Sequence, residues 1–229
     1  MEMIDYRYRI LLYKDFCFQY GRIGMEDLLY TAAYEYKRMN NIAYEIVLGR
    51  KGKKYTIFLH FPPETFFHLI GLQHLTDITF PSTNKERIFK EILKKNLTYS
   101  SLQKSVFFEE NFIEERISNL YLLEEMLDSN TVTYLINPKE YQKYSNIKAD
   151  YVFEYINFEL QIFYFFAVIE KKFPRFTNEC RGCSFFKKHK VDYTKGTART
   201  TVLMITKFIH FNTIQQIKEI KYKNPTYRE

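Results

Sequence analysis

Few side chains in this 229-residue chain combine proton-transfer chemistry with suggestive surroundings, and His68 is foremost among them. It stands in Phe66-Phe67-His68-Leu69-Ile70-Gly71-Leu72-Gln73-His74-Leu75, after the apolar run Tyr55 to Phe61 and the dipeptide Pro62-Pro63. Proline is favoured where a helix opens, so the stretch is expected to be helical. At about 100° per residue, His68, Gly71, Leu72 and Leu75 then share one face, which places an ionisable imidazole on an apolar stripe. Gly71 removes a side chain one turn on, leaving room for a backbone, a phosphate or a base. An imidazole with open space beside it can shuttle protons. The plainer reading is a core histidine bonded to a backbone carbonyl.

A second set lies near the other end. Lys187, Lys188, His189, Lys190, Lys195 and Arg199 stand among the hydroxyls of Ser184, Tyr193 and Thr201. Lysine and arginine hold phosphate, arginine through a bidentate fork, and hydroxyls donate to non-bridging oxygens. His189 is a candidate second proton carrier. On a strand, Ser184, Phe186, Lys188 and Lys190 would share one face and Phe185, Lys187 and His189 the other. Lys187 and His189 then act together, and Ser184 joins them only through a bulge or twist. Most of the 20 Tyr and 22 Phe sit at core spacing, but Tyr193 and Phe186, set among cations, are candidates for stacking on bases.

Other chemistries find less support. Cys180-Arg181-Gly182-Cys183 has metal-ligand spacing, but no second CxxC or HxxxH completes a zinc set, and His189 is its nearest further candidate. Three cysteines, with Cys17 far from the other two, imply a reducing compartment rather than a disulfide framework. Asp5, Glu64 and Asp77 are too scattered for a two-metal site, and no glycine-rich phosphate loop or serine-nucleophile elbow is present, so no cofactor is expected. The longest apolar run, Ile162 to Ile169, is eight residues, short of the ~20 that cross a bilayer. Met1 to Ile10 carries Glu2, Asp5, Arg7 and Arg9 where a signal peptide would be apolar, so a cytoplasmic protein without a membrane partner is expected. Residues 171–229 hold 14 Lys and Arg against 4 Asp and Glu, whereas the first 170 hold 20 against 23. A basic quarter on a near-neutral body points to a polyanion partner, nucleic acid first.

The elements that must position these residues run from helices to strands. Ile4 to Tyr20, Met25 to Met39, Lys85 to Lys95 and Glu110 to Leu127 read as helices, and Ile42 to Leu48 with Tyr55 to Phe61 as a hairpin. Val132 to Ile136, Tyr151 to Tyr155, Leu160 to Ile169, Ser184 to Lys188 and Thr200 to Phe208 read as strands. This order predicts an α+β fold in which helices cover an antiparallel β-sheet. Ile214, Ile217 and Ile220 predict a short appended helix within 212–221. The expected organisation is a helical extension over 1–24, one domain over 25–209, and a tail over 210–229.

The succession HLIGL at 68–72, KERIFKEILK at 85–94, ERISNLYLLEEML at 115–127, ADYVFEY at 149–155, YFFAVI at 164–169, SFF at 184–186, Tyr193 and TVLMITKF at 201–208 resembles a known family. It is similar to the phage-associated branch of the barnase, EndoU, colicin and RelE nucleases, and within it to the fourth subgroup. The resemblance runs from about Met25 to Phe208. It implies a barnase/RelE-like core and metal-independent ribonuclease-like chemistry in a protein of phages or mobile elements. That chemistry needs a base for the 2′-hydroxyl, an acid for the leaving 5′-oxygen, and positive charge on the phosphorane. The expected catalytic residues are His68, Lys187, Tyr193 and Ser184, with RNA held by Lys187, Lys188, His189, Lys190, Lys195, Arg199 and Thr201. The expected function is RNA cleavage as a toxin or host-takeover factor, with an antitoxin or a host or defence protein as a further partner. The alternative is a catalytically silent protein that uses the same basic sheet to bind nucleic acid or to block a host protein.

Overall fold

The computed structural model describes residues 27–170, 178–210 and 216–228; the helix expected over Ile4 to Tyr20 and Cys17 lie outside the described residues. Helix α1 (Leu28–Met39) opens at Asp27, whose carboxylate accepts from the Tyr30 N–H at 2.9 Å. It buries Leu29, Ala32, Ala33, Tyr36 and Met39, the stripe its sequence spacing predicts. Strands β1 (Ile42–Arg50) and β2 (Lys53–His60) form the expected hairpin.

The His68 stretch is not one helix. Helix α2 (Thr65–Leu69) stops after five residues, Gly71 takes the left-handed conformation at φ 80°, and a 3-10 turn carries Leu72–His74. Leu72 and Leu75 are buried, but they lie past the break and share no continuous helical face with His68. Helices α3 (Lys85–Leu93) and α4 (Tyr99–Leu102) start at Asn84 and Thr98, whose side chains cap them. The long helix expected to Leu127 begins only after Phe112, left-handed at φ 53°, and divides into α5 (Ile113–Asn119) and α6 (Leu122–Asp128). A left-handed phenylalanine costs about 1–2 kcal/mol.

The remaining elements are β3 (Val132–Ile136), α7 (Pro138–Tyr141), β4 (Tyr151–Ile156), β5 (Ile162–Ile169), β6 (Glu179–Lys187), β7 (Thr197–His210) and β8 (Gln216–Lys223). Here the expectation of helices covering an antiparallel sheet is overturned. Neighbours run β1-β2-β6-β5-β4-β3-β7, and β7 returns to β1, closing a seven-stranded barrel to which β8 is added on β7. The barrel is mixed: β2 and β6 run parallel, with Leu59 opposite Cys180, and the other pairs are antiparallel. Closure comes from the early hairpin, which joins the C-terminal strands at both of its edges. Ile42 to Gly49 of β1 pair with Thr201 to Ile209 of β7, while β2 takes β6. Pairing both hairpin edges satisfies backbone groups that an open sheet would leave bare.

In the tail, Gln216–Lys223 form a strand rather than the expected helix, and Ile214 lies outside the described residues. β3 covers β7 only from Thr197 to Thr200, and β8 covers the same edge from Met204 to His210. The Cys180–Cys183 segment, considered above for its metal-ligand spacing, lies inside β6. Cys180 belongs to the main core and Cys183 packs beside a second, smaller one, so the two thiols diverge. Gly182 between them allows close packing: a Cβ there would stand 2.8 Å from Phe165 Cε2 and 3.0 Å from Leu69 Cδ2, the side chain that seats α2 on β6.

The main core joins Leu29, Phe66, Ile113 and Leu123 of the helices to Tyr44, Leu59, Phe153, Phe165 and Phe185 of the strands. The second contains Ile136, Tyr141, Val152, Tyr164, Phe166 and Phe186. β5 is buried on both faces, which explains why its sequence is apolar throughout rather than alternating. Among the described residues, no helix is long and apolar enough to cross a membrane.

An ion network fastens α6 to the barrel. Lys207, whose side chain is 5% exposed, places Nζ 2.6 Å from Glu124 and 2.9 Å from Asp128. Arg38 bonds Glu124 at 2.6 Å, Lys221 lies 3.1 Å from Asp128, and the Tyr44 hydroxyl donates to Asp128 at 2.6 Å. Removing the central cation takes from two partly buried carboxylates their most buried partner and leaves Glu124 with Arg38 and Asp128 with Lys221 and Tyr44. Lys207→Ala is therefore expected to cost about 3 kcal/mol in chemical denaturation; a loss below about 1 kcal/mol would show that water replaces the lysine freely.

Candidate functional site

At the end of β6 the surface opens into a cleft of about 1170 Å³. β6 supplies Ser184, Phe186 and Lys187; the segment after it supplies His189, Lys190 and Tyr193. The facing wall is made by His74 from the 3-10 turn, and by Phe112 and Arg116 where α5 begins. Ile147 and Lys148, ahead of β4, close a third side.

Arg116 is the centre of this arrangement. Its Nη1 donates to Ser184 Oγ at 3.3 Å and its Nε to the Asn111 carbonyl at 3.1 Å. The guanidinium carbon lies 4.7 Å from the centroid of the Phe186 ring. Burial lowers its pKa to about 10, opposed by Tyr193 and Glu115, so the group stays charged at neutral pH. Arg116 forms no ion pair among the described residues, and its two hydrogen bonds use two of its five N–H donors. The room for this side chain is made by Gly71. A Cβ at Gly71 would stand 3.0 Å from Arg116 Cδ and 3.2 Å from its Nε. The space that the sequence suggested for a substrate beside His68 is thus occupied by an arginine from another helix.

Two imidazoles flank the same cleft. The pKa of His74 is held below its usual value, first by burial and then by the Arg116 charge, which keeps the ring neutral. Gln73 Nε2 lies 3.3 Å from its Nε2. His189 Nε2 lies 2.8 Å from Glu115 Oε1, and its ring stacks on Phe112 with centroids 3.9 Å apart and planes at 17°. Tyr193 packs edge-on against Phe186 at 5.1 Å, joining the cleft wall to the second core.

The residues expected from sequence divide clearly. Ser184, Lys187, His189, Lys190 and Tyr193 line the cleft together. Ser184 and Lys187 stand on opposite faces of β6, as strand parity predicts, yet both line the cleft where the strand ends; His189 lies beyond β6, where alternation no longer applies. Lys188 points elsewhere, with Nζ 5.9 Å from the Tyr164 ring. β6 and β7 are not hairpin partners: Arg199 lies opposite Tyr134 and Thr201 opposite Gly49, and neither they nor Lys195 line the cleft.

His68 also lies outside the cleft lining. Its Nε2 is 2.7 Å from Lys85 Nζ, so the lysine donates to a neutral ring. Burial, then the charges of Lys85, Arg181 and His74, lower its pKa to about 4. Sequence reasoning missed Arg116, His74, Phe112 and Glu115. For Arg116 a signal existed: it falls between Ile113 and Ile117 on the apolar stripe of its helix, the same anomaly that drew attention to His68.

Among the described residues, no three His, Cys, Asp or Glu side chains converge as a metal-ligand set would. A family model described as phage-Barnase-EndoU-ColicinE5/D-RelE like nuclease4 matches residues 28–224, a span that includes β8. No curated protein and no solved structure matches the chain.

Two outcomes are expected from this geometry. Gly71→Ala pushes a methyl into Arg116 from a left-handed backbone; it should cost about 1–2 kcal/mol of stability and lower activity at the cleft more than about tenfold. Retention of full activity would mean that Arg116 is free to move. The folded-state pKa of His68 lies below the unfolded 6.5, so the unfolded chain takes up that proton first as pH falls. The stability contributed by the neutral ring is complete above about 6.5 and is lost between 6.5 and 4. His68→Gln, which keeps an acceptor for Lys85, should flatten the stability profile in that window; an unchanged slope would assign acid sensitivity elsewhere.

Proposed function

The chain belongs to the phage-Barnase-EndoU-ColicinE5/D-RelE like nuclease4 family, a nuclease family of phage origin, and from that premise we propose that it is a metal-independent endoribonuclease. It acts in the cytoplasm as a toxin or host-takeover factor. The observation that carries this reading is Arg116, a largely buried guanidinium with no ion pair among the described residues, on the wall of a cleft that also holds two imidazoles. A partly buried cation with no carboxylate in direct contact attracts an anion, and a phosphodiester supplies one.

In this reading Arg116, Ser184 and Lys187 hold the non-bridging oxygens of the scissile phosphate, and Tyr193 supports the wall behind them. His74, kept neutral by burial and by Arg116, takes the proton of the 2′-hydroxyl. The 2′-oxygen bonds to phosphorus as the bond to the 5′-oxygen breaks. His189, steadied by Glu115 at Nε2, gives its proton to that oxygen from Nδ1. The products are a 2′,3′-cyclic phosphate and a 5′-hydroxyl. His68 is a positioning residue that ties Lys85 to the end of α2, immediately before the turn that carries His74.

The test is incubation of the purified protein with total RNA in EDTA, beside Arg116→Ala, His74→Ala and His68→Gln. Cyclic phosphate ends are expected from the wild type and from His68→Gln, with Arg116→Ala slower by about 10²–10³-fold. The acidic limb of the rate profile should lie below 6.5, since the base is a histidine with a lowered pKa. Binding that weakens steeply between about 50 and 200 mM salt without any cleavage would instead identify a silent nucleic-acid-binding module.

A further inference from the structure

Phe112 is unusual on three independent counts. It is left-handed at φ 53°, a conformation that a purely structural position would give to glycine or asparagine, and it precedes α5 without providing a side-chain cap. Phe186 on the same cleft lining is 7% exposed and belongs to the second core, whereas Phe112 is 46% exposed and lines the cleft. Its ring partner among the described residues is His189, stacked at 3.9 Å, which leaves part of the ring uncovered.

The surroundings specify what can cover it. Arg116, Lys148, Lys187 and Lys190 line the same cleft against the single carboxylate of Glu110 in the lining, so the occupant carries negative charge. It must also present a flat π-face to Phe112. A nucleotide offers both, and a base can stack there only when it has left its own helical stack.

We infer that the Phe112–His189 pair is a stacking platform for an unpaired nucleobase, which makes single-stranded RNA the substrate class of the cleft. This rests on the ribonuclease reading above and sharpens it. The left-handed backbone at Phe112 presents the ring beside His189, so the platform holds the nucleotide next to the residue that serves the leaving oxygen.

The experiment compares binding of a single-stranded and a hairpin 2′-O-methyl oligonucleotide of the same length, which lack the attacking hydroxyl, to the wild type, Phe112→Asn and Phe112→Tyr. Asparagine tolerates the left-handed backbone, so Phe112→Asn should fold with unchanged or higher stability while losing the ring. The wild type is expected to bind the single strand about tenfold or more tighter than the hairpin; Phe112→Asn should erase that preference and Phe112→Tyr should keep it. A 2-aminopurine in the single strand should be quenched by the wild type and not by Phe112→Asn. Equal, salt-sensitive binding of both oligonucleotides, or a preference untouched by Phe112→Asn, would overturn the platform and leave the nuclease reading standing. Absence of salt-sensitive binding to either would overturn both.

Discussion

The pairing of β1 with β7 is the constraint on which the rest depends. It converts two sets of strands that lie far apart in sequence into a closed ring, and it fixes β6 between β5 and β2, the latter paired over Glu179 to Arg181. On that fixed strand Gly182 admits Leu69, so α2 lies close against the sheet. α2 then ends at Gly71, and the absence of a side chain there admits Arg116. Helix seating at Gly182 and the position of the guanidinium at Gly71 are both close contacts that a single added carbon would crowd. This is why a cleft built from segments as distant as His74, Arg116, Ser184 and Tyr193 has a defined shape.

Buried Lys207 and partly buried Arg116 make an instructive contrast. Lys207 is surrounded by Glu124 and Asp128, which also bond Arg38, Lys221 and Tyr44; its charge is neutralised within the fold, and its role is to hold α6. Arg116 has a hydroxyl, a carbonyl and an aromatic face, all of which orient the guanidinium without cancelling its charge. Taking a cation partly out of water without a contact counter-ion is unfavourable, and it is this feature of Arg116 on which the proposed phosphate contact rests. The lowered pKa of His74 is a consequence of the same charge together with burial.

Much of the local structure was legible in the sequence. The hairpin over β1 and β2 and the strand at Val132–Ile136 follow from short-range pattern, and the family resemblance from ordered blocks of it. Closure was not legible, because it depends on which distant edges pair, and a strand's own alternation does not record its partners. The tail was misread because isoleucines three apart suit a helix, whereas the unpaired edge of β7 takes that segment as a strand. Ser184, Lys187, His189, Lys190 and Tyr193, which charge and residue type single out in the sequence, line one cleft. His68 drew the attention that its neighbour Gly71 and the distant Arg116 share with it. A charge on an apolar stripe was the right signal, read at one position and passed over at the other.

The central claim is that Arg116 contacts the scissile phosphate, and phosphorothioate substrates test it most directly. Replacing one non-bridging oxygen by sulfur should slow the wild type for the diastereomer that faces the guanidinium, and the slowing should vanish in Arg116→Ala, since coupled partners are not additive. An equal sulfur effect in both proteins would contradict the account and place the phosphate away from Arg116.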